Sequence, residues 1–213
     1  MANDTRLLML GAVKLFEPVN GYQIRRELVS WSVEEWANIR PGSIYSALAT
    51  LTKQGMLARH EVPEGGRSVA VYTLTAAGQA EFDRLYAAAV TAPDRSSSTA
   101  MQAAVALIPL VPRPRFAELL AERVRALAER RAADAARSGA TAGAVPGHVA
   151  QLAAWWAEST AVEEAWCRQL LDRVRAGELT FAGEPWDWTP APDDPGWQIH
   201  RDHEHYRRVL NLG

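Results

Sequence analysis

Apolar positions recur at helical spacing from the start of the chain. In "TRLLMLGAVKLF" (5–16), Leu7, Leu8, Leu10, Val13 and Phe16 predict a first helix, which "EPVN" breaks. "GYQIRRELVSW" follows, with Tyr22, Ile24, Leu28 and Trp31 on one broad side of a second helix. "SVEEWANIRP" reads as a connector ending at Pro41, and a third helix is expected at about 42–54. After Gly55 the pattern changes. "MLARHEV" and "VAVYTLT" are rich in β-branched and apolar residues, with "PEGG" between them, and predict a hairpin. Thr75 then caps a fourth helix, "AAGQAEFDRLYAAAV". Three helices, a hairpin and a helix in this order predict a winged helix-turn-helix domain over 1–90.

"TAPDRSSST" (91–99) has the composition of a linker, and a helical half follows it. "AMQAAVALIPLV" reads as one apolar helix stopped by the prolines at 109, 112 and 114. "RFAELLAERVRALAERRAADAARSG" predicts a long helix striped by Phe116, Leu119, Leu120, Val124 and Leu127. After a flexible break, "TAGAVPG", a second long helix is expected over 148–177. A stretch rich in proline and tryptophan leads to a last short helix near 197–210. The fold class expected is mainly α with a small β-hairpin wing. A C-terminal helical domain at 91–213 would serve dimerisation and hold any effector.

The third helix carries the most specific signal. Ile44, Ala47, Leu48 and Leu51 share one face. Ser43, Ser46, Thr50 and Lys53 form the opposite stripe, with Tyr45 beside it and Arg40 just before the helix. Small hydroxyl groups let a helix approach the floor of a major groove and bond phosphate oxygens or base edges there. The free amides of the helix N-terminus add an attraction for anions. The same stripe would also suit a helix face that meets only solvent. The hairpin directly after the helices favours the groove reading, because it supplies a wing.

Composition changes this picture in one respect. Net charge is −2, and the first 90 residues hold nine Lys/Arg and nine Asp/Glu. Binding to nucleic acid must then depend on where the charges stand. The hairpin is thin in cations, with Arg67 beyond its turn and Arg59 and His60 on its first strand. A single cysteine, Cys167, excludes an internal disulfide and fits a cytoplasmic protein. No signal peptide or apolar span of membrane length is read, and no Cys/His spacing matches a zinc site.

By these residues the chain resembles the PadR family of winged-helix transcriptional regulators. The matching pieces are "GYQI" (21–24) with Leu28, "PGSIYSAL" (41–48) with Leu51, "KQGML" (53–57), Gly66-Arg67 and "YTLTAAG" (72–78). They cover roughly the first 80 residues, and only as a set are they specific. The resemblance implies a homodimer paired through C-terminal helices and bound to a pseudo-palindromic operator on double-stranded DNA. It also implies repression relieved by a small, often aromatic, ligand. Carried over by position, Tyr22, Ser43, Tyr45, Ser46 and Lys53 would lie at the DNA, with Arg67 on the wing. The chain departs from the pattern at Ser46, where a proline is common. It departs again at "RSVAVY", where a proline and further basic residues are usual.

The helical half offers two further candidates. Trp155, Trp156 and Trp166 lie on one long helix, with Trp155, Ser159, Val162 and Trp166 on a single face. They would line an aromatic effector pocket, or else fill the helical core or the dimer seam. "IHRDHEH" brings His200, His203 and His205 close in sequence to Asp202 and Glu204. The spacing matches no established metal site, so a solvated terminal helix is expected there. No phosphate-binding glycine loop, Ser-His-Asp order or HExxH occurs, and Cys167 looks like a packed small side chain. No enzyme activity and no cofactor are expected. The DNA-binding regulator competes with two other readings. One is a winged-helix module that binds protein, which the neutral domain and thin wing would suit. The other is a ligand-binding protein built on the tryptophan helix.

Overall fold

The computed structural model describes residues 1–140, 144–185, 189, 191–194 and 196–212. The expected break at 141–147 and the proline- and tryptophan-rich stretch lie partly outside them. The chain divides into two compact units, one of Met1–Tyr86 with Pro185–Gly213 and one of Ala87–Glu184. The last helix therefore groups with the N-terminal residues, where the sequence placed it with the helical half.

In the first unit the elements are α1 (Asn3–Phe16), β1 (Val19–Asn20), α2 (Gly21–Ser30), α3 (Val33–Ala37), α4 (Ser43–Lys53), β2 (Leu57–Glu64) and β3 (Arg67–Leu74). Helix α5 (Ala76–Thr91) leads out of it and α9 (Gly196–Val209) returns to it. The three strands form an antiparallel sheet in the order β1-β3-β2. Leu8 and Leu10 of α1, Ile24 and Leu28 of α2, Ile44 and Leu48 of α4 and Phe82 of α5 are fully buried. The faces read for α1 and α4 build this core; on α2 Ile24 and Leu28 do so, while Tyr22 of the expected face is exposed and Trp31 half-buried.

The hairpin is tighter than its composition suggested. Glu64 pairs with Arg67, so the turn is Gly65-Gly66 alone. Both glycines have positive φ, 56° and 83°, which a two-residue turn matched to strand twist requires. Pro63 lies within β2, which is an edge strand and needs no amide hydrogen there.

The second unit holds α6 (Thr99–Ala106), a 3-10 turn (Ile108–Leu110), α7 (Arg113–Ala140) and α8 (Gly147–Ala176). Helices α7 and α8 run in opposite directions against each other. Phe116, Leu119, Leu120, Val124 and Leu127 of α7 are buried, as are Cys167, Leu170, Leu171 and Val174 of α8. Arg123 is buried too; it donates to the Ala89 and Val90 carbonyls and pairs with Glu163. No helix among the described residues is long and apolar enough to cross a membrane.

Candidate nucleic-acid interface

Helix α4 presents the face that its sequence proposes. Ile44, Ala47, Leu48 and Leu51 are buried, while Ser43, Tyr45, Ser46, Thr50 and Lys53 are exposed. Arg40, three residues before the helix, is exposed as well. No side chain caps the N-terminus of α4. The Ser43 amide donates to the Arg40 carbonyl at 2.9 Å, so only the amides after it could meet an anion.

The hydroxyls are not equivalent. Ser43 Oγ donates to the Arg40 carbonyl at 2.8 Å, and Thr50 Oγ1 donates to the Ser46 carbonyl at 2.8 Å. With their protons engaged, both can only accept from a partner unless they rotate. Of the two partners expected for them, phosphate oxygens or base edges, these two hydroxyls as oriented suit amino groups on base edges. Among the described residues the Ser46 hydroxyl has no internal partner and keeps its proton to give.

The charges are also sorted. Arg6 pairs with Glu81, Arg26 with Glu27, Arg59 with Glu61 and Arg84 with Glu81. Arg40, Lys53 and Arg67 have no carboxylate partner among the described residues, and all three are exposed. The neutral N-terminal region thus leaves unpaired cations beside α4 and at the wing, where long-range attraction to an anion is least cancelled.

Between them lies an open groove of about 610 Å³, lined by Tyr22, Tyr45 and Tyr72, by Arg67 and Ser68, and by Asn20 and Glu64. Tyr22 is 61% exposed and Tyr45 47%. Tyr45 stays on this side because its ring rests on the start of α2: a Cβ at Gly21 would stand 3.1 Å from Tyr45 Cε1. The start of α2 is held in turn by a capping box. Asn20 Oδ1 accepts from the Gln23 amide at 2.9 Å, and Gln23 Oε1 accepts from the Asn20 amide at 3.0 Å.

The groove gathers Tyr22, Tyr45 and Arg67 from three separated segments. Sequence reasoning missed Asn20, Glu64 and Tyr72. For Asn20 the signal was present, an Asn three residues before a Gln at a helix start. For Tyr72 nothing local was available, since its place depends on pairing with Val19 and Arg59.

The tryptophans stand elsewhere and do not converge. Trp155 is 66% exposed, and Trp156 and Trp166 are exposed on α8 also. Trp156 is partly covered by Arg95, whose guanidinium carbon lies 5.4 Å from the ring centre. Within one chain they fill neither a core nor an enclosed pocket. The histidines of α9 are spread as well. His203 Nε2 lies 2.9 Å from the Glu17 carbonyl, and His200 and His205 lie against Trp197 and Tyr206.

Comparison with known proteins bears on this unit. Residues 9–84 match the model of the transcriptional regulator PadR-like family. No curated protein matches the chain. Among solved structures, similarity is found to the crystal structure of Bacillus subtilis PadR in complex with operator DNA. Identity there is 16% over 80% of this chain and 97% of that one, with a TM-score of 0.36. A PadR-like transcriptional regulator from Bacillus cereus is 14% identical over 80% of this chain and 95% of its own, with a TM-score of 0.35.

Proposed function

We propose that this chain, whose residues 9–84 match the PadR-like family of transcriptional regulators, binds an operator as a homodimer and represses transcription. In this reading α4 enters the major groove of double-stranded DNA. Tyr22, Tyr45, Arg40, Lys53 and Arg67 take the flanking phosphates, and Ser43, Ser46 and Thr50 face base edges. The observation that carries the reading is the bare, exposed face of α4 between unpaired cations and an open aromatic groove. The dimer forms through α8, and two α4 helices then meet half-sites about one turn apart. The exposed tryptophans of α8 lie in that seam, where an aromatic ligand would stack and release the DNA by favouring a different spacing of the readers. A cytoplasmic location follows from the proposed role.

Fluorescence anisotropy over a salt series tests the proposal, using duplexes that the purified protein selects from a random library. Lys53→Ala and Arg67→Ala should each reduce the slope of log K against log salt by about 0.9. Tyr45→Ala should weaken binding to the selected duplexes while leaving the protein dimeric. Equal affinity for selected and random DNA would remove the operator reading. Unchanged affinity in all three variants would remove the assigned face. Quenching of tryptophan fluorescence by aromatic acids and cations tests the ligand, and no quenching across both classes would remove it.

A further inference from the structure

The family match ends at residue 84, yet α9 lies against the unit that contains it. Tyr206 of α9 is fully buried, packed on Val62 of β2 and Val71 of β3, with Val69 and Leu210 completing the cluster. These valines share one face of the hairpin, because Val62 pairs with Val69 and Val71 follows two residues on. Packing alone would account for the ring of Tyr206. It does not account for the hydroxyl. The Asn20 side-chain amide donates to that hydroxyl at 2.9 Å. Burial, together with the nearby Glu64 carboxylate, pushes the pKa of this phenol up. The residue therefore joins the cap of α2, through its hydroxyl, to the wing strands, through its ring.

Asn20 and Glu64 are both walls of the open groove. Two further contacts repeat the connection. The Gln23 side-chain amide donates to Asp202 at 2.7 Å, and His203 meets the Glu17 carbonyl. Gln23 and Asn20 are the two halves of the capping box, so α9 engages both of its side chains. The box fixes the backbone on which Gly21 and Tyr22 stand, and Gly21 supports the Tyr45 ring.

We propose that Tyr206 and Asp202 of α9 are positioning residues for the DNA-binding groove, holding the start of α2 and the wing at a fixed separation. The proposal rests on the DNA reading for its consequence, but its geometry is tested without DNA. Neither residue need touch a nucleic acid. Their effect passes through Asn20, Gln23 and the hairpin valines Val62 and Val71.

The test uses the full chain and two readouts. The Gln23 amide bonds only its cap partner, so its hydrogen exchange reports the box directly. In Tyr206→Phe, which keeps the packed ring, exchange at Tyr22 and Gln23 should rise by roughly five- to tenfold, with amides inside α8 unchanged. Asp202→Ala should raise exchange at Gln23, and Asp202→Asn, which keeps an acceptor oxygen, should restore it. Affinity for the selected duplexes should fall by a similar factor in Tyr206→Phe, with the salt slope unaltered because the cations remain. Exchange within twofold of wild type at Gln23 in both Tyr206→Phe and Asp202→Ala would overturn the proposal. So would faster exchange with duplex affinity unchanged, which would reduce α9 to a stabilising cover. A wild-type protein that selects no duplex would refute the DNA reading itself, and the exchange result would then decide the latch alone.

Discussion

At Gly21 and Gly78 the absence of a side chain is required by a neighbour. A Cβ at Gly78 would stand 2.0 Å from the Met56 carbonyl oxygen, far inside contact distance. That oxygen already accepts from the Thr75 amide, so neither partner can yield cheaply. Gly78→Ala should cost on the order of 1–3 kcal/mol, read as a thermal midpoint lowered by at least about 3 °C. At Gly21 the neighbour is a flexible ring, and the cost should fall on DNA affinity more than on folding. Cys167 is a different case. It is buried, and burial pushes its thiol up to about 11. The native protein should leave a disulfide reagent unreacted at pH 8, and one thiol should appear on denaturation. At this scale the sequence was legible where a residue's chemistry is local. The exposure of Ser43, Ser46, Thr50 and Lys53 on α4 followed from helical spacing alone. Tyr72 and Glu64 were not, because strand register and a returning helix placed them in the groove.

Elements were legible where their signals were long or capped. Thr75 accepts from the Gly78 amide at 3.0 Å, the N-cap that its position implied. Its hydroxyl also meets the Gly55 carbonyl at 2.7 Å, so the residue ties α5 to the turn after α4. Thr75→Ala should destabilise the unit by about 1–2 kcal/mol in denaturant unfolding. Helix α3 was read as connector, since five residues give too little periodicity. Ser32 and Asn38 on either side of it both take left-handed backbone, with φ of 53°. Strand β1 has two residues and exists only because β3 pairs with it. In α7 and α8 two acids, Asp134 and Glu164, are buried. Glu164 is held below the usual carboxylate range by Arg168 and Arg131, and Asp134 by Arg95 and Arg137. A carboxylate that is more acidic folded than unfolded stabilises above its unfolded pKa and loses that stabilisation as pH falls. The helical unit should therefore weaken as pH drops below about 4, and Glu164→Gln should flatten that fall in a urea series.

At the scale of the whole molecule, the outer part of α8 poses the last question. Its buried residues begin only at Thr160, so the described residues from Gly147 to Ser159 contribute none. On the facing helix, Asp134 is the only buried residue from 128 to 138. A long helix gains most of its stability from an apolar face packed on something. Here Val149, Leu152, Trp155, Val162 and Trp166 share one broad side, with Ser159 between the third and fourth, and all are exposed, Val162 to 70%. Monomers seldom leave so continuous an apolar stripe in water, and a second copy of the same helix offers a self-complementary surface for it. If the proposed dimer pairs through this face, the double substitution Val162→Asp with Trp166→Asp should place like charges across the seam in both copies. Sedimentation equilibrium should then report a monomer whose helix content is close to wild type. A monomer binds one half-site, so affinity for a selected palindromic duplex should fall by roughly a hundredfold or more, while affinity for a single half-site is kept. A dimer that survives both charges would move the interface off this face of α8.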